Sequence, residues 1–186
     1  MCNRRDPTWK GVLVDKRQSL LLIRACDSIA GYFGADVKGA QEAVKGAQEA
    51  LTAFQPILAE AAEAFSYFAA TIAGVAASSG GMSPGEFIVA LPQQQIQVLP
   101  DTGVDWDAAV SVAKLVADGE PVEIVRTQGL SMDVPTAINS CFSVAVSAVL
   151  VISALTSRLP TDWISIVRQG ADNPGQIPDI NSSTNV

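Results

Sequence analysis

The chain has 186 residues, of which 48% are hydrophobic and 17% charged, with a net charge of −7. An ordinary soluble domain carries about 25% charged residues, so the shortage implies a surface covered by sister subunits or by lipid. The acidic balance excludes binding of nucleic acid through a broad basic face, because phosphate affinity depends on displaced counterions.

The first two dozen residues are locally basic, with Arg4, Arg5, Lys10, Lys16, Arg17 and Arg24 against Asp6 and Asp15. Such a run reads as a solvated face or arm, with anionic lipid or nucleic acid as its other conceivable partners. No secretory signal is expected, since "SLLLIRAC" is short, broken by Arg24, and followed by no small-residue cleavage site. Residues 14–33 predict a helix whose stripe is Leu21, Leu22, Ala25, Ile29 and Phe33, stopped by Gly34.

The next segment repeats itself. VKGAQEA occurs twice without a spacer from Val37, and Asp36 can cap the helix that carries it. With Val37 at heptad position a, the a column is Val37, Val44, Leu51, Leu58, Phe65 and Ile72. The d column is Ala40, Ala47, Phe54, Ala61, Phe68 and Val75, and no charge enters either column. A long apolar seam follows. Lys38 to Glu42 and Lys45 to Glu49 are i,i+4 pairs on its outer side, where Glu60 and Glu63 also fall. Gly39 and Gly46 each cost a helix about 1 kcal/mol relative to alanine, and Pro56 predicts a bend or interruption. Such a helix needs packing partners, from its own chain or from a sister subunit.

"SSGGMSPG" breaks the chain. Phe87 to Leu91 and Gln95 to Leu99 then predict two short strands, with Pro92 and Pro100 bracketing the second as an edge. Residues 105–119 predict a helix capped by Asp105, packed through Val110, Val112, Leu115 and Val116, and ended by Gly119. "PVEIVRT" predicts a third strand. Val134 to Ser157 carry no charge and predict either a central buried helix or a membrane span with Trp163 at its interface. Ser140, Ser143, Ser147, Ala154 and Ser157 lie near one face of it, a pattern that permits close helix approach. On this reading Ser143 and Ser147 pack against the heptad helix, with Phe142, Val146, Leu150 and Leu155 on the flanks. "DWISIVRQ" closes the fold as a short helix.

The expected fold is mainly α with a small antiparallel β element (α+β): a long heptad-patterned helix plus a buried apolar helix. It divides into a helical region, 1–83, an α+β region, 84–170, and a polar C-terminal tail, 171–186, together one structural unit.

The equipment of catalysis is sparse. Histidine, the commonest general base and metal ligand, is missing from the sequence. No nucleophile elbow, phosphate loop or dinucleotide glycine pattern occurs. Asp101, Asp105 and Asp107 lack the spacing of a calcium loop, and helix capping explains Asp105. Cys2, Cys26 and Cys141 have no metal or redox spacing and read as reduced thiols. No catalytic residue, cofactor or metal is expected.

The expectation is a non-enzymatic structural subunit of a large homo-oligomeric assembly. Its concrete form is a bacteriophage virion component (tail, connector, capsid-associated or internal protein) assembled in the host cytoplasm, with copies of itself and other assembly subunits as partners. The interface would use Val37, Ala40, Val44, Ala47, Leu51, Phe54, Leu58, Phe65, Phe68, Ser143 and Ser147. The alternatives are a membrane-associated or pore-forming protein inserting residues 134–157, and a cytosolic helical binding module.

Overall fold

A computed structural model of the chain describes residues 16–34, 40–54, 59–121, 124–125, 127 and 132–173. These are mostly helical, and they form seven α-helices with no strand among them. The helices are α1 (Lys16–Gly34), α2 (Ala40–Leu51), α3 (Ala59–Gly80), α4 (Pro84–Val89), α5 (Trp106–Ala117), α6 (Val134–Thr156) and α7 (Pro160–Asp172).

At the centre α3 packs on α6, and around this pair α1 contacts α2, α3 and α7 while α4 and α5 close the other side. The reason is composition. From Ala137 to Val149 every residue of α6 is buried, and α3 buries Ala61, Ala64, Phe65, Phe68, Ala69, Ile72 and Ala73 completely. Each large side chain so buried contributes about 1.5–3 kcal/mol. A chain of rings ties the elements together. Phe65 meets Phe142 edge to face with centroids 5.1 Å apart, Phe142 meets Tyr32 at 5.7 Å, and Phe54 meets Phe65 at 6.0 Å.

The helix ends follow local chemistry. Asp105 Oδ1 accepts the N–H of Ala108 at 3.1 Å as predicted, and Gly119 follows α5 at φ 77°, a conformation that costs glycine nothing. Asp133 caps α6 through the N–H of Thr136 at 3.0 Å, with Pro135 in the first turn. That bond, and a second from the Thr136 hydroxyl, hold the Asp133 carboxyl below its usual range.

The α1 stripe is as the spacing predicts: Leu21, Leu22, Ala25 and Ile29 are buried and Phe33 half-buried. The heptad helix is interrupted. Its α-helical run ends at Leu51, a 3₁₀ turn covers Thr52–Phe54, and α3 begins at Ala59. Pro56 lies outside the described residues, as do Val37, Gly39 and Leu58. The buried stripe of α2 is Ala43, Ala47 and Leu51, continuing to Phe54, while Val44 is half-buried. Ala47, Leu51 and Phe54 are the a and d residues themselves, and the stripe leaves those columns only where Ala43 is buried in place of Val44. Lys45 and Glu49 form the expected exposed pair at 4.0 Å.

The antiparallel β element is corrected. Phe87 to Leu91 lies in and just after α4, which Ser83 and Glu86 start by a reciprocal capping box, the Ser83 Oγ accepting the Glu86 N–H at 3.2 Å and the Glu86 carboxylate accepting the Ser83 N–H at 2.7 Å. The described part of "PVEIVRT" is a helical turn, in which the N–H groups of Ile124 and Val125 both bond to Pro121 O. Residues 92–97 run without a bend but pair with no strand. This run and its continuation to Asp105, here called the strap, lie on α6.

Candidate functional site

The strap is held by a polar rail on α6. Asn139, Ser143 and Ser147 recur every fourth residue, so their side chains share one helix face, and all three are fully buried. Asn139 Oδ1 accepts the N–H of Leu99 at 2.8 Å, while its Nδ2 donates to Leu99 O at 3.0 Å and to Thr102 O at 3.3 Å. The amide thus pairs with both backbone groups of Leu99 as a neighbouring strand would. Ser143 Oγ accepts the N–H of Ile96 at 3.0 Å and donates to Asn139 O at 2.8 Å, with Ile96 O at 3.2 Å. Ser147 Oγ donates to Pro92 O at 2.7 Å. Beside them, Ser140 Oγ accepts the N–H of Asp105 at 2.8 Å, anchoring the cap of α5.

This arrangement corrects one expectation and explains another. The serine face of α6 does not meet the heptad helix; it meets the strap. The face toward α3 carries Cys141 and Phe142 instead, with Ser66 Oγ 3.4 Å from Cys141 Sγ. The alternation read as a strand is real, since Ile96 and Val98 are buried and Gln95 and Gln97 exposed. Side chains of a helix take the place of the missing ladder, which satisfies buried backbone groups as a sheet would.

Ser147→Leu is therefore expected to lose the bond to Pro92 and overpack the rail, costing about 1–3 kcal/mol of stability by chemical denaturation. An unchanged midpoint would mean that the strap moves aside freely at that end.

The other residues expected at an interface are distributed as follows. Ala47, Leu51, Phe54, Phe65 and Phe68 are buried by helices of the same chain, and Val44 is half-buried. Ala40 is the first residue of α2, and Val37 and Leu58 fall outside the described residues. On the flanks of α6, Phe142 and Val146 are buried, whereas Leu150 is 40% and Leu155 70% exposed, and Ala154 is exposed too. With Leu159 at 66%, they leave exposed apolar side chains along the last two turns of α6 and in the turn into α7. Val89, at the end of α4, is 58% exposed.

Two of the contacts that sequence reasoning missed lie between helices near α1. Arg17 bonds Glu60 at 2.9 Å and Glu63 at 3.2 Å, linking α1 to α3 and taking these carboxylates from a merely solvated role. The Glu60 bond leads in raising the Arg17 pKa. The second contact is a backbone crossing of α1 and α2. A Cβ on Gly46 would lie 2.5 Å from Gly31 O, and one on Gly31 would lie 2.6 Å from Gly46 O. The helical glycine at 46 marks that crossing. Its counterpart in α1 gave no periodic signal.

The cysteines are poor nucleophiles. Burial pushes the Cys26 thiol up to about 12 and the Cys141 thiol up to about 11, so both stay protonated at neutral pH. In a Cys2→Ala chain, thiol reagents at neutral pH are expected to label neither until denaturant is added. Fast labelling of the native chain would contradict this. Among the described residues, no group of three or more Cys, Asp or Glu side chains is arranged to hold a metal ion.

Compared with models of protein families, with curated proteins and with solved structures, the chain matches none.

Proposed function

We propose that the protein is a non-enzymatic structural subunit of a homo-oligomeric assembly, and that the assembly is a bacteriophage virion. The observation that carries the first part is the exposed apolar surface, chiefly Leu150, Leu155 and Leu159 along the end of α6 and the turn after it, and Val89 at the end of α4. A chain with only 17% charged residues offers little to keep such surface solvated, and sister copies would cover it. Buried, protonated thiols support the non-enzymatic part. The virion is proposed from composition and by analogy with other closed assemblies. Sedimentation and negative-stain microscopy of the purified chain test both parts. Regular particles, rings or tubes are expected, and a compact monomer at micromolar concentration would end the proposal.

One observation favours the membrane alternative. Val134–Thr156 is long and apolar enough to cross a bilayer. Against it, most of that helix, from Ala137 to Val149 without a gap, is buried inside the fold. Trp163 is buried as well, with its indole N–H donating to Thr156 Oγ1 at 3.1 Å, so it does not stand free as an interfacial anchor. Flotation of the chain with anionic liposomes would favour the alternative. Solubility without detergent would favour the assembly subunit.

A further inference from the structure

The strap has a second side. In an extended run, the backbone groups of successive residues point in opposite lateral directions. The N–H and C=O of Ile96 both face Ser143, so those of Gln95 and Gln97 point away from α6. Both glutamines are exposed, and among the described residues their backbone groups make no hydrogen bond. This is an open edge. Natural proteins commonly blunt such edges with charged side chains, yet none lies between Glu86 and Asp101. At its centre the run is symmetric, because Gln95 and Gln97 flank Ile96.

We infer that this edge pairs antiparallel with the same edge of a second copy, across a two-fold axis at Ile96. A two-fold contact needs a self-complementary patch, and this register provides one. Gln95 of each copy faces Gln97 of the other, and each such pair exchanges both of its backbone hydrogen bonds. Leu99, whose N–H and C=O are both bonded to Asn139, and the bend at Val98 and Leu99 confine the ladder to the centre of the run. Val89, three residues before Pro92, and Leu150, one helical turn beyond Ser147, are both exposed toward the end of the strap that Ser147 holds. The inference rests on the homo-oligomeric reading above and supplies one contact for it.

Two double variants test it by sedimentation velocity: Gln95→Lys with Gln97→Lys, and Gln95→Glu with Gln97→Glu. Each places like charges face to face across the axis while leaving the bonds to α6 in place. Each alone is expected to lose this association step with an unchanged unfolding midpoint, and an equimolar mixture is expected to recover it. Where a double variant lowers the midpoint, Gln97→Pro decides, because it removes one outward N–H without adding charge; it is expected to weaken association. Variants as associated as the unaltered chain would overturn the edge contact and leave the assembly reading standing. Dissociation that mixing does not reverse would overturn the register. A monomeric unaltered chain would overturn both.

Discussion

Asn139→Leu is expected to lower the free energy of unfolding by about 3 kcal/mol, read from urea denaturation with an unchanged slope. The two side chains are similar in size, so the change removes hydrogen bonding more than volume. Leu99 would lose the partner of its N–H and of its C=O, and Thr102 the partner of its C=O. A buried polar group left unmatched costs about 1–3 kcal/mol, and water can reach part of this site because Leu99 is half-buried. A loss below about 0.5 kcal/mol would show that water replaces the amide and that the rail does not hold the strap.

Gly46→Val is expected to cost about 3 kcal/mol or more, since α1 and α2 must separate to admit the side chain. The obstacle is backbone: the Gly31 carbonyl oxygen at 2.5 Å and its carbon at 3.0 Å. Alanine gives the sharper diagnosis. In an open helix Gly→Ala stabilises by up to about 1 kcal/mol, and Gly74→Ala, where an added Cβ meets nothing within 4 Å, should follow that rule. Gly46→Ala should have the opposite sign. Stabilisation by both changes, followed by thermal melting, would remove the close crossing from the account.

Much of the helical framework was legible because burial imposes a period on the sequence. The stripe of α1, the Asp105 cap and Gly119 stop of α5, and the uncharged run of α6 all matched what their spacing implied. The seam of the heptad was legible as an apolar face but not in its partners. Those are helices distant in sequence, and alanine columns fit many neighbours equally well. Two misreadings have specific causes. Val89 and the apolar residues around it resemble a strand, but the Ser83 and Glu86 capping box fixes a helix first, and that signature stood in the sequence unread. Gln95 to Leu99 has a strand's alternation because one side is buried. Nothing local discloses that its hydrogen-bonding partner is the side-chain face of a helix. The serines of α6 are legible in the sequence as small residues, but it is their hydroxyls that hold the strap. The exposure of Leu150 and Leu155 was not legible either, because those residues are as apolar as their buried neighbours.

The rail also sets an order of events. Asn139, Ser143 and Ser147 align only when α6 is wound, so the strap has nowhere to dock on an unwound chain. Leu99 and Asn139 are separated by 40 residues, and closing that loop costs entropy that the helix contacts must already have offset. Docking of the strap therefore belongs after formation of the α3 and α6 pair, and its release is a smaller excursion than global unfolding. The amide hydrogens of Ile96 and Leu99 should accordingly exchange with deuterium sooner than those in the middle of α6, and together, as one opening unit.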